Sequence, residues 1–160
     1  MRIEELDAVC RQAAHDLYAT QAGAGARSVP PAVVLPLPEA TRVTTFPDFP
    51  DDDPTRFDLL ARFAADVVRP ANAPAYGFVG EAVLDGEGGP VDVAVVVYGA
   101  RGHRPLIMAA PVLADGLGDF TAADDLDPTA MPFLSPLQHA VDAASATGDA
   151  AGGGFDLTSG

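Results

Sequence analysis

Lysine is absent from this sequence, and all nine of its cations are arginine, set against 23 carboxylates for a net charge of −14 at pH 7. That balance argues against broad affinity for phosphate backbones, because nucleic-acid binding rests mainly on Lys and Arg displacing condensed counterions. Anionic lipid surfaces are disfavoured for the same reason. The lone cysteine, Cys10, excludes an internal disulfide and any CxxC redox or zinc site. No apolar run approaches the ~20 residues of a membrane helix. The start, MRIEELDAVC, lacks the basic segment and apolar core of a signal peptide, so a cytoplasmic protein is expected. There is no GxSxG elbow and no P-loop. His15, His103 and His139 stand isolated, so neither a metal site nor a cofactor is expected. The missing lysines, with one Asn (Asn72) and two Ile (Ile3 and Ile107), read as codon bias of a GC-rich genome. A halophile-like acidic surface is the second reading.

What is there is enough for one folded domain. With 160 residues, 48% of them hydrophobic, the chain lies far from the disordered class. Charge is uneven: residues 1–69 carry seven arginines against eleven acids, a net of −4, and residues 70–160 carry two against twelve, a net of −10. Residues 1–147 are expected to form the domain. Residues 148–160, GDAAGGGFDLTSG, are expected to be a flexible tail, with Phe155 and Leu157 its only candidate anchors for a partner.

Periodicity gives the elements. Ile3, Leu6, Cys10, Ala13 and Leu17 recur at helical spacing, which predicts a helix over 2–20 with Cys10 inert on its buried stripe and His15 beside Arg11 on the outer side. The Gly-containing stretch QAGAGARSVPP follows a helix rather than a strand, so it is no dinucleotide fingerprint. Two short strands are predicted at 32–35 and 41–46, the first confined to an edge or a bulge by Pro36 and Pro38. A second helix starts at Asp53 as cap, with Pro54 in its first turn and Phe57, Leu60, Ala61, Ala64, Val67 and Val68 on one apolar face. The triplet Asp51, Asp52, Asp53 is explained by capping and the helix dipole ahead of any metal. Strands at 75–84, 91–98 and 106–112, joined by Gly-rich turns, read as an antiparallel meander. The strand at 91–98 is apolar on both faces and therefore central, while Pro111 makes the last one an edge or ends its pairing. Thr121 and Asp124 resemble a capping box. A better one, Ser135 with Gln138 and Pro136 between them, opens a last helix running to Ala146.

The expected fold is α+β, an antiparallel sheet of a three-strand meander plus two short strands flanked by three helices, in the order α-β-β-α-β-β-β-α. That order is similar to the order in profilin-like and roadblock-type domains. The likeness is one of element order with no shared motif, and it implies nothing about chemistry.

Three candidate sites follow. Glu81 lies amid apolar residues of a strand, where a desolvated carboxylate could serve as a general acid or base, against the simpler reading of a sheet-face Glu that pairs with Arg or reaches solvent. Arg101, His103 and Arg104 concentrate cations in a Gly turn of the acidic half, suited to a carboxylate or phosphate, against a solvated turn paired with nearby acids. Phe155 and Leu157 could dock the tail. The first expectation is a non-enzymatic, acidic, protein-binding or regulatory domain that presents a sheet edge, a bare sheet face or its tail to a protein partner, one that carries basic groups. Three helices covering two-sided strands leave room for a homodimer. Alternatives are a small enzyme or anionic-ligand-binding domain using Glu81 with the basic turn, and a nucleic-acid mimic that blocks a basic protein.

Overall fold

Alternating apolar residues and two tight turns make the centre of the molecule a meander of β3 (Ala75–Gly86), β4 (Gly89–Ala100) and β5 (His103–Leu113). In this computed structural model, which describes residues 2–23, 29–114, 116–127 and 129–144, the hairpins close on the pairs Gly86↔Gly89 and Ala100↔His103. The second turn needs Gly102 at φ 71°, a conformation other residues rarely adopt. Before the meander come α1 (Ile3–Gly23), β1 (Ala32–Pro36), β2 (Thr41–Thr45) and α2 (Asp53–Phe63), the last extended by a π-helical turn, Ala64–Val68. After it come two-residue strands β6 (Gly116–Leu117) and β7 (Asp124–Asp125), a 3₁₀ turn (Pro132–Leu134) and α3 (Ser135–Asp142).

The seven strands form one antiparallel sheet in the order β2-β1-β3-β4-β5-β6, with β7 also on β5. The expected α+β class and the central place of the 91–98 strand are both seen. Helix α1 covers one face, where Leu6, Cys10, Ala14 and Tyr18 pack on Val34, Val79, Val96 and Met108. On the other, α2, its π turn and α3 bury Leu60, Val68, Leu137 and Val141 against Val33, Leu35, Phe78 and Val97.

Several expectations are corrected. β1 is no edge; it lies buried between β2 and β3, because Pro36 falls at its last residue, beyond the Ala32–Val34 stretch that pairs with β3. β5 is no open edge either: its ladder with β4 ends at Pro111, the other outcome the proline allowed, while Val112 and Leu113 pair on its other side with β6. Ala109 and Pro111 turn their backbone polar groups away from β4, so the missing N–H costs that ladder nothing. The carbonyl of Pro111 accepts from Gly118 N (2.9 Å), while Ala109 exchanges bonds with Thr121. Thr121 and Asp124 therefore open no helix; their segment lines the edge of β5. Asp52, not Asp53, caps α2: it is extended (φ −108°) and accepts from Thr55 N (2.9 Å). Phe57, expected on the buried face, is 43% exposed. α3 has no side-chain cap and ends at Asp142, because Gln138 instead donates to Ala100 O and Asp142 Oδ1, both at 3.0 Å. His15 is not on an outer side: its ring and Arg11 both meet Phe120, each at 5.4 Å. The tail, with Phe155 and Leu157, lies outside the described residues.

Candidate functional site

Glu81 leaves β3 on the α1 face. There its Oε2 accepts from Tyr18 OH at 2.8 Å and from Val29 N at 3.0 Å, a clasp between α1, the approach to β1 and the sheet. Burial, and then the adjoining Glu81 carboxylate, push the Tyr18 phenol well above its usual range. Among the described residues no arginine takes part in this clasp. Both bonds tie α1 and the approach to β1 to the sheet, which is a structural role. Cys10 agrees with its expected inertness: it is fully buried, and burial followed by the nearby Asp7 charge pushes its thiol up to about 12.

The basic turn stands at the other end of the strands. Glu81 is opposite Ala94 and His103 is opposite Ala100, six residues along β4, or about 20 Å at ~3.3 Å per residue. The turn's amide at Gly102 is already bonded to Asp142 Oδ1 (2.9 Å), Arg101 reaches Ala144 O (3.4 Å), and His103 Nδ1 meets Arg104 O (2.8 Å). A shallow cavity of about 250 Å³ beside it is lined by His103, Arg104, Gln138 and Asp142, so an acid already occupies the wall an anion would use. The structure does not bring Glu81 and this turn into one site.

Residues the sequence did not single out form a more distinct feature. Phe49, Phe78 and Phe133 stand in a triangle with ring centroids 5.7–5.9 Å apart. The Arg56 guanidinium lies 5.3 Å from the centroids of Phe49 and Phe133, steered there by its 2.6 Å bond to Pro50 O. These groups wall a cup of about 290 Å³ whose floor is Gly80, Ala82, Val95 and Ile107.

Beyond the cup no helix of the described residues lies over the same sheet face. The clustered core on this face reaches Val95 and Ile107; Ala82, Val93, Ala109 and Pro111 come next, with Val93 still buried, and then Leu84, Val91 and Leu113. Leu84 and Val91 are cross-strand partners, 52% and 40% exposed, and Leu113 on the adjoining strand is 49% exposed. Of the exposed acids at this end, Glu87 lies in the β3–β4 turn and Asp119 beside β5, while alternation turns Asp85 and Asp92 to the opposite face with Val83. Alternation along these strands was the signal for which face each residue takes, but alternation does not report whether that face is covered.

Among the described residues no three of His, Cys, Asp and Glu converge as metal ligands, and no helix is long and apolar enough to cross a membrane. Comparison with protein-family models, curated proteins and solved structures finds no match.

Proposed function

We propose that this protein is an acidic protein-binding domain that acts through the bare end of its β3–β4–β5 sheet face. The observation that carries the reading is the cross-strand pair Leu84 and Val91, with Leu113 on the next strand, three large apolar side chains 40–52% exposed. Isolated exposed apolar residues need no explanation, whereas apolar side chains that adjoin across strands suit a docking surface. With strands ~4.8 Å apart and like-facing residues ~6.6 Å apart, the patch measures on the order of 200 Å². Burying it contributes about 5 kcal/mol at ~25 cal/mol per Å². That is at the low end of what association itself costs, so charge must contribute too. The net −10 of residues 70–160, with Glu87 and Asp119 at this end, favours a partner whose own apolar patch is edged by Lys and Arg.

The enzyme reading is weakened by the distance between Glu81 and the basic turn and by the commitments each has already made. A nucleic-acid mimic would work through carboxylates alone and would be indifferent to Leu84. The test is a comparison of the wild-type protein with Leu84→Asp and Val91→Asp in affinity purification from the native host, followed by titration of the purified partner at rising salt. Expected is a partner lost with both variants and an association rate that falls as salt rises. Unchanged affinity of Leu84→Asp refutes the reading. Loss confined to an Arg101→Ala, Arg104→Ala double variant moves the site to the basic turn, and a salt-sensitive wild-type dimer broken by Leu84→Asp replaces the partner with a second copy.

A further inference from the structure

The two borders of the sheet are treated differently. Along β5, the strands β6 and β7 and the two-way bonding of Thr121 with Ala109 cover the edge. Along β2, the outermost strand, no described residue does. Phe46 N donates to Pro31 O (2.8 Å) and Ala40 O accepts from Leu37 N (3.1 Å), which fixes the alternation. Even-numbered residues of β2 turn their polar groups toward β1, and Thr41, Val43 and Thr45 turn theirs outward. Three amides and three carbonyls thus stand in a row, on a strand with no proline or bulge to blunt it. Beside that row, on the face where α1 lies, runs a groove of about 470 Å³ between α1 and β2, walled by Val9, Ala13, Leu17 and Val43, with Asp16 at its lip.

We propose that the β2 edge is a second binding site, which takes an extended segment of another protein as an added strand and receives that segment's alternate apolar side chains in the α1–β2 groove. The recognition is of the strand-addition kind: backbone bonds to Thr41, Val43 and Thr45 hold the segment, and the groove reads every second residue. A second copy of this chain fits poorly. Its own β2 would present Thr41, Val43 and Thr45 to the groove, one apolar group for a volume about three times the ~150 Å³ that holds a benzene ring. It would also bring a second net charge of −14. A foreign segment with two or three apolar residues at alternate positions fills the groove, and a basic residue among them meets Asp16. On the opposite face of β2, exposed Arg42 and half-buried Thr44 favour polar residues at the intervening positions.

The test uses a fluorescein-labelled peptide, Thr-Val-Thr-Val-Ser-Leu-Thr-Arg, whose arginine shares the face of its apolar residues, and a control of the same composition with its three apolar residues adjacent. Expected is binding of the alternating peptide at least five-fold tighter than the control, with slowed hydrogen exchange at the amides of Thr41, Val43 and Thr45. Val43→Pro removes an outward amide the fold does not use, and an edge strand tolerates it. It should weaken binding at least ten-fold with an unchanged far-UV spectrum. Leu84→Asp should bind the peptide as wild type does, which separates this site from the bare sheet face. The inference fails if the peptide does not bind, or if bound peptide leaves the β2 amides unprotected in the wild-type protein. It fails too if the protein forms a dimer that Val43→Pro abolishes, since the edge would then be covered by a second copy.

Discussion

Adding one methyl group at Gly77 should reveal whether α1 lies where the structure places it. Gly77 is paired with Val34 of β1 and Tyr98 of β4 and faces α1. A Cβ there would sit 2.5 Å from Cys10 Sγ and 3.3 Å from Val34 Cβ. Contacts of this kind are comfortable at ~3.5–4.0 Å, so the helix must lift by about 1 Å or more over a side chain that is fully buried. Two effects oppose each other. Gly→Ala in a conformation alanine accepts stabilises by about 0.4–1 kcal/mol through the unfolded chain, and overpacking a tight core costs about 1–3 kcal/mol. The clash wins, and Gly77→Ala is expected to destabilise by about 1–2 kcal/mol. Cys10→Ala alone costs about 1 kcal/mol for the lost burial and small void. Together the two changes relieve each other, because the sulfur that blocked the methyl is gone, and the double variant should be no less stable than Cys10→Ala. Urea unfolding followed by circular dichroism gives the cycle. A coupling below about 0.5 kcal/mol, the range of independent sites, would refute the packing of α1 on β3.

Val96→Asp, at a fully buried position of β4, should leave no folded protein at room temperature, since an unpaired buried charge costs as much as a domain's whole stability. Leu84→Asp on the bare end of the same sheet should melt within a few degrees of wild type, and comparable loss in both would remove the distinction between covered and bare strand ends. Asp7 accepts from Arg11 Nε and Tyr98 OH, each at 2.5 Å, and although burial opposes them these two donors hold its carboxyl below the usual range. A carboxyl lowered on folding contributes stability that is present above its unfolded value near 3.9 and lost as pH falls through the folded one. Tyr98→Phe should therefore cost about 1–2 kcal/mol at pH 7 and progressively less below pH ~4; a cost independent of pH would detach Tyr98 from Asp7.

The meander and α1 were legible because their side-chain periods are regular and their neighbours are close in sequence. Where the reading failed, the deciding groups were remote or chemically alike. Three consecutive aspartates offer the same cap, and only the extended backbone of Asp52 selects it. Ser135 and Gln138 have the spacing of a capping box, yet Gln138 is drawn to the Ala100 carbonyl and Asp142. The acidic stretch 116–125 shows little apolar alternation, because what it contributes to the sheet is backbone, through Gly118 and Thr121. Leu84 and Val91 read as core for the opposite reason: their pattern is that of a buried pair, and nothing local records that the helices stop short of them. The Phe49–Phe78–Phe133 triangle joins a loop, a strand and the approach to α3, a juxtaposition no spacing announces.

The excess of carboxylates and the bare apolar surfaces bear on each other. An exposed sheet face and an unpaired edge are the two features by which a β protein most readily associates with its own copies. Two copies meeting through the Leu84–Val91–Leu113 face would bring two segments of net −10 together, with Glu87 of each near the contact, and repulsion at such distances is where salt screens least. A partner edged with Lys or Arg turns the same charges into attraction. On the proposed binding role, the acids of residues 70–160, net −10, would favour such a partner over a second copy where apolar burial alone would not. Replacing Asp85, Glu87 and Asp92 of the β3–β4 hairpin together by Asn, Gln and Asn should leave the fold intact, slow capture of a basic partner and promote self-association, seen as mass growth with concentration in light scattering. A triple variant that stays monomeric and binds its partner at the wild-type rate would show that the hairpin carboxylates do neither.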